Sequence, residues 1–80
     1  MKISVLVRPK QGILDPQGEA VEGALRKLGF EVSEARVGRV IDLEVASGNA
    51  EDARTKVDEM CHKLLANPLI ESYEIELHDA

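Results

Sequence analysis

Ile3-Ser4-Val5-Leu6-Val7-Arg8-Pro9-Lys10-Gln11-Gly12-Ile13-Leu14-Asp15-Pro16-Gln17-Gly18 is the stretch on which the fold turns. Ile3, Val5 and Val7 alternate with Ser4 and Leu6, the period-2 pattern of a strand, and Leu6 on the second face implies that part of that face is covered too. Arg8-Pro9 ends the strand, because proline has no ladder donor and keeps the preceding residue extended. Pro9 to Leu14 reads as a loop. Asp15-Pro16 then opens a helix: the Asp15 carboxylate can accept from free amides of the first turn, and Pro16 occupies the position that needs no N–H. The chain therefore begins as a β-α unit.

Outward from that stretch, Ala20, Val21, Ala24, Leu25 and Leu28 share one helix face, and Gly29 suits a left-handed cap. Phe30 and Val32 start an extended run with apolar residues at even numbers, whereas Val37, Ile41, Leu43 and Val45 are apolar at odd numbers. A strand cannot change phase without an extra residue or a turn. The break at Arg36-Val37-Gly38-Arg39 predicts a hairpin with Gly38 at positive φ, a bulge being the other version. Ser47-Gly48-Asn49 is a turn, and Asn49 caps a second helix whose buried stripe is Ala53, Val57, Met60, Cys61, Leu64 and Leu65. Asn67-Pro68 stops it. Leu69-Ile70, then Tyr73, Ile75 and Leu77 alternating with Glu74, Glu76 and His78, form a last strand with an acidic exposed face. The order β-α-β-β-α-β predicts an α+β two-layer sandwich, both helices on one face of a mainly antiparallel sheet, as a single domain over residues 1–80.

A chain of 80 residues buries only somewhat over ~60% of its unfolded surface, so one core leaves it marginal. Disulfides, a metal or association commonly supply the remainder in small domains. The lone Cys61 excludes an internal disulfide, and no Cys/His set has zinc spacing. Association remains, and an oligomer is expected. The net charge of −5, with Phe30 and Tyr73 as the only aromatics, lacks the basic stripe and stacking platform that nucleic acid requires. No apolar run nears the ~20 residues that span a bilayer. With one cysteine and a start that goes straight into a strand, a cytoplasmic protein is expected.

Residues capable of chemistry are present but not arranged for it. Cys61 and His62 are helix neighbours pointing roughly 100° apart, and Cys61 belongs to the apolar stripe, where burial leaves a thiol inert. His62 and His78 have no ligand partner at a recognised spacing and read as solvated. Glu74 and Glu76 share a strand face, but acid/base pairs need a cleft that splits their pKa values. The loop Arg8-Pro9-Lys10-Gln11-Gly12 could hold a phosphate near a helix start, yet it lacks Walker spacing and Asp15 would repel an anion. It reads better as a contact loop, with Ile13 and Leu14 as apolar anchors or tucked onto the core. Arg36 and Arg39 flank the turn glycine as solubilising residues or as the charged tip of a docking surface. No catalytic, metal-binding or cofactor-binding constellation is expected. The candidate partner contacts are Arg8, Lys10, Gln11, Ile13, Leu14, Asp15, Arg36 and Arg39.

Three segments, taken as strings, resemble the PurS family. They are Val7 to Gly18 with Ala20-Val21 and Leu28-Gly29; Arg36-Val37-Gly38-Arg39 with Ile41, Leu43 and Val45; and Met60-Cys61-His62-Lys63-Leu64-Leu65-Ala66-Asn67-Pro68-Leu69-Ile70-Glu71-Ser72-Tyr73. Together they cover nearly the whole chain in order. Arg39 stands where lysine is common, and His62 where a polar or acidic residue often appears. The resemblance implies an accessory subunit of a split phosphoribosylformylglycinamidine synthase, an ATP-dependent glutamine amidotransferase of de novo purine synthesis. It implies bridging of a large synthetase subunit and a glutaminase subunit, and self-association to a dimer or tetramer, without catalysis by this chain alone. Other readings suit the same element order. An ACT-like module would bind amino acids at a dimer interface. An acylphosphatase-like enzyme would need a loop arginine and a strand asparagine, whereas Asn49 and Asn67 fall at helix ends.

Overall fold

The computed structural model describes residues 1–12 and 15–78. The elements are β1 (Lys2–Pro9), α1 (Pro16–Lys27), β2 (Arg39–Glu44), α2 (Ala50–Met60) running on into a π-helical turn (Cys61–Leu65), and β3 (Glu71–His78). The strands form one antiparallel sheet of order β2-β1-β3, with Val5 opposite Ile41 on one side and Ile75 on the other. The α+β class and the antiparallel sheet expected from the sequence are what the chain adopts. Because side chains alternate along a strand, Ile3, Val5 and Val7 all point to one face. There they meet Ala53, Val57 and Cys61 and form a fully buried core, bordered by Ile41, Leu43, Tyr73, Ile75 and Leu77. Asp15 and Asn49 cap α1 and α2 as their side chains predict, accepting from Gly18 and Asp52. Gly29 takes φ +95° just past α1. Among the described residues, no helix is long and apolar enough to cross a membrane.

Four expectations need correction. Among the described residues the sheet has three strands, and the run from Phe30 to Val37 is not among them. Its backbone is committed to α1 instead: Arg26 Nε donates to the Val32 carbonyl at 3.0 Å, Phe30 N donates to the Leu25 carbonyl at 3.1 Å, and Val37 N donates to Asp15 Oδ2 at 2.8 Å. The order is therefore β-α-β-α-β. Gly38 is not a positive-φ turn residue, since among the described glycines only Gly12 and Gly29 are. It is required by proximity, because a Cβ there would lie 2.2 Å from the Val7 carbonyl oxygen.

The stripe of α2 also ends differently. Buried positions run Ala53, Val57, Cys61 and then Ala66, while Leu64 is 83% exposed and Met60 sits at the margin. The wider π turn after Met60 advances the chain by more residues per turn, so Leu65 and Ala66 inherit the inward direction that a 3.6 period assigns to Leu64. Finally, α1 does not join α2 on the sheet. Among the described residues, no extended packing links α1 to a strand of the same chain, and Gly18 is the only buried residue of the helix. Its apolar face stays open: Leu28 is 73% and Phe30 59% exposed.

The shape follows. The radius of gyration is 15.8 Å and the extents are 49 × 28 × 14 Å, whereas a compact chain of this length has a radius of about 12 Å. The molecule is a block, in which α2 covers the sheet, and an arm, in which α1 is backed by residues 28–37.

Candidate docking surface

The root of the arm is built by Asp15. One carboxylate oxygen caps α1 through Gly18 N at 3.1 Å and the other takes Val37 N at 2.8 Å. Those two backbone donors, Val37 foremost, hold its carboxyl below the usual carboxylate value, with Arg36 adding a smaller attraction. Gly18 completes the joint, because a Cβ there would meet the Ala35 carbonyl at 2.3 Å. Gln11 and Gly12, the latter at φ +81°, border a small hollow with Asp15 and Arg36 at this root. Ile13 and Leu14 lie outside the described residues.

Arg39 is a brace. Its guanidinium donates to both Glu71 oxygens, at 2.6 and 3.1 Å, and to the Leu65 carbonyl at 2.5 Å. Glu71 also accepts from Asn67 N at 2.7 Å. β2, β3 and the end of the second helix are thereby locked together. Glu71 sits below its ordinary value chiefly because of Arg39, and Arg39 is pushed up chiefly by Glu71. Lys10 does similar work one residue beyond β1: its Nζ donates to the Pro68 carbonyl at 2.7 Å and its amide to the Ile70 carbonyl at 2.9 Å. The turn so held presents Leu69, 82% exposed, and Ile70.

Arg8 and Arg36 are freer. Arg8 reaches Glu74 at 3.4 Å and Arg36 reaches Glu34 at 3.9 Å, and both carboxylates are well exposed. They meet, with Leu6, Gly38 and Val40, around a cleft of about 430 Å³. Of the residues expected to make partner contacts, the structure thus brings Arg8, Arg36 and the backbone around Arg39 together, while Lys10, Asp15 and the Arg39 guanidinium shape the surface from within. Sequence reading missed the exposed Leu64, Leu69, Ile70 and Val40. The signal available was position: Leu69-Ile70 sits between a proline stop and the true start of β3, where no periodicity assigns it to a core.

Two further clusters hold polar groups without arranging a reaction. Tyr73 donates to Asp58 Oδ1 at 2.5 Å, with the His62 ring edge-on at 5.9 Å. That hydrogen bond, more than burial, pushes the phenol up to about 12, so Tyr73 keeps its proton and ties β3 to α2 through it. Ser4 donates to Asp42 Oδ1 at 2.6 Å and lies 2.8 Å from His78 Nε2. The residue types are those of a hydrolytic triad, but the aspartate accepts the serine O–H directly instead of orienting the histidine. The Cys61 thiol is fully buried and pushed up, first by burial and then by Asp58.

Fold and surface together define a small α+β protein whose described residues present a cleft lined by arginines, an exposed apolar turn and a helix not packed on its own sheet. The chain belongs to the PurS family, described as phosphoribosylformylglycinamidine (FGAM) synthase, whose family model matches residues 2–79. It is 42% identical over 77 residues to the phosphoribosylformylglycinamidine synthase subunit PurS of Methanocaldococcus jannaschii, covering 95% of this chain and 93% of that one. Among solved structures it resembles Bacillus subtilis PurS, with a TM-score of 0.86 at 40% identity and 98% of each chain covered. A chain in the structure of PurLQS from Thermotoga maritima is equally similar, with a TM-score of 0.86, 38% identity, and 94% of this chain and 93% of that one covered.

Proposed function

We propose that this protein is the small accessory subunit of a split phosphoribosylformylglycinamidine synthase, working as one domain in the cytoplasm. There it bridges the large synthetase and glutaminase subunits so that glutamine-derived ammonia reaches formylglycinamide ribonucleotide. The observation that carries this reading is the match, over nearly the full length of both chains, to a chain of the Thermotoga maritima PurLQS structure. The relative from M. jannaschii is likewise described as one of the subunits of formylglycinamide ribonucleotide amidotransferase in the purine biosynthetic pathway. An amino-acid-binding ACT-like module is not favoured by these relatives. The physical contribution is positional: holding two active sites in register keeps a reactive small intermediate near its acceptor and away from bulk water.

Self-association belongs to the same proposal. Among the described residues, two apolar faces are left wholly or partly uncovered. One is the Val21, Leu28 and Phe30 side of the arm, and the other is the β2 part of the core face, where Ile41 and Leu43 are only partly buried because α2 packs closest to β3. Within the described residues of one chain, α1 makes no extended packing with the sheet, so the two faces do not meet. A second copy related by a twofold axis can cover both at once, each arm lying on the other's sheet.

Reconstitution tests the role. Glutamine-dependent FGAM formation by the two large subunits is measured with and without this protein, beside an ammonia-driven control. The expected result is a strong dependence on the chain with glutamine and a weak one with ammonia. Equal rates with and without it in the glutamine assay would overturn the proposal.

A further inference from the structure

We propose that the cleft between the end of β1 and the start of β2 receives an acidic segment of a partner polypeptide, an apolar side chain resting on Leu6 and Val40 while a carboxylate engages Arg8 and Arg36. This rests on the accessory-subunit reading above and specifies the chemistry of one of its contacts.

The sheet face turned away from α2 is mostly acidic. By strand alternation it carries Asp42 and Glu44 from β2 and Glu74 and Glu76 from β3, all exposed. Its cationic corner is this cleft, of about 430 Å³. The floor is apolar: Leu6 lies opposite Val40 in the β1–β2 register, and Val40 is 61% exposed although it sits within a strand. Gly38 also lines the cleft, and its backbone runs so close to β1 that a Cβ there would lie 2.2 Å from the Val7 carbonyl oxygen.

The guanidiniums at the rim are less fully bonded than that of Arg39, with the Arg8 side chain 51% and the Arg36 side chain 30% exposed. Arg39 spends its donors on Glu71 and on the Leu65 carbonyl. Arg8 and Arg36 hold their own carboxylates at 3.4 and 3.9 Å, with Glu74 and Glu34 mainly in water. Exposed pairs of that length are worth little. A partner carboxylate arriving with an apolar neighbour replaces them with bonds that become partly desolvated as Leu6 and Val40 are covered. A free phosphate or nucleotide phosphate would use the cations but gain nothing from the floor. The pairing of floor and rim therefore favours a polypeptide.

The test uses the full chain with its purified synthetase and glutaminase partners. Binding is followed by calorimetry at low and at physiological salt for the wild type, Arg8→Glu/Arg36→Glu, Arg8→Lys/Arg36→Lys and Val40→Asp. The charge reversal is expected to weaken binding at least roughly 100-fold and Val40→Asp roughly 10-fold. The lysine pair should retain binding within several-fold, and the wild-type affinity should fall as salt rises. Circular dichroism and self-association of each variant should match the wild type. A readout free of charge changes is Val40→Cys: its thiol should react with maleimide in the isolated chain and be protected in the complex, Cys61 being fully buried. Wild-type binding by the reversed variant, or an equally reactive Cys at position 40 in the complex, overturns the proposal while leaving the subunit role intact. So does binding of inorganic phosphate or ADP that depends on Arg8 and Arg36 while partner binding does not. A wild-type chain that binds neither partner overturns both readings.

Discussion

The block and the arm of this molecule are made from similar sequence by opposite economies. In the block, Ile3, Val5 and Val57 are essentially removed from water by residues of the same chain. In the arm, Val21, Leu28 and Phe30 are just as apolar and are left in the open, although the arm's polar backbone is carefully satisfied by Asp15, Arg26 and the α1 carbonyls. Exposed apolar surface on a well-bonded scaffold is what the self-association proposed above would cover. The block should therefore behave as a property of one chain and the arm as a property of the assembly.

The sharpest way to break that division is to damage each half separately. Ile3→Ala leaves a cavity between the sheet and α2 and is expected to lower unfolding stability by about 3–4 kcal/mol, measured by urea denaturation at fixed protein concentration. If the loss is below about 1 kcal/mol, the block is not the closed core described. The arm gives the next largest effect. Val21→Asp with Leu28→Asp removes two side chains worth about 1.5–3 kcal/mol each when buried, so self-association, followed by sedimentation, should weaken at least roughly 100-fold. The sheet's circular dichroism should persist. A variant that remains oligomeric with wild-type affinity would mean that the arm's apolar face is not an interface.

The same contrast explains what the sequence let through. Strand and helix caps were legible wherever one residue does one local job: Pro9 ending β1, Asp15 and Asn49 opening helices, Gly29 closing one. The core of the block was legible because Ile3, Val5, Val7, Ala53, Val57 and Cys61 follow strict periods. The run from Phe30 to Val37 misled because alternation reports extended backbone and not its hydrogen-bond partner, and here the partner is α1. The stripe of α1 points to burial on its own sheet because amphipathicity marks an apolar face without naming what lies against it. Leu64 was lost to a π turn that no residue type announces. Of the docking candidates, charge singles out the loop and the turn near Gly38, but the division into loosely paired cations (Arg8, Arg36) and committed ones (Arg39, Lys10) depends on carbonyls and carboxylates distant in sequence.

The joint between the two regions makes a smaller and pH-dependent contribution. Asp15 at the arm's root and Glu71 at the brace both sit below ordinary carboxylate values, Asp15 through the Val37 and Gly18 amides and Glu71 through Arg39. A carboxyl whose folded value is depressed stabilises fully above its unfolded value, near 4, and loses that contribution as pH falls through the folded value. Stability should therefore be flat from neutrality down to about pH 5 and fall below it. Glu71→Gln should lower stability by about 1 kcal/mol at pH 7 and flatten the acid limb. Asp15→Asn should flatten it as well while also loosening the arm, seen as faster amide exchange at Gly18 and Val37. An acid limb unchanged in both variants would place the titrating groups elsewhere.

The smallest effect on the isolated chain is the most informative about the surface. Arg8 is about half exposed and meets a still more exposed Glu74 at 3.4 Å, so truncating it removes a pair of the kind that contributes about 0–0.5 kcal/mol. Lys10 keeps its amide bond to Ile70 after truncation and gives up only the ammonium contact to the Pro68 carbonyl. Arg8→Ala/Lys10→Ala is thus expected to unfold within about 0.5 kcal/mol of the wild type and to elute identically when alone, yet to weaken assembly in gel filtration with both partner subunits. A loss of stability well above that margin would move these cations into the block, as part of what holds one chain together. Unchanged assembly would remove them from the docking surface and leave the exposed Leu69 and Ile70 as the feature of that end still without a partner.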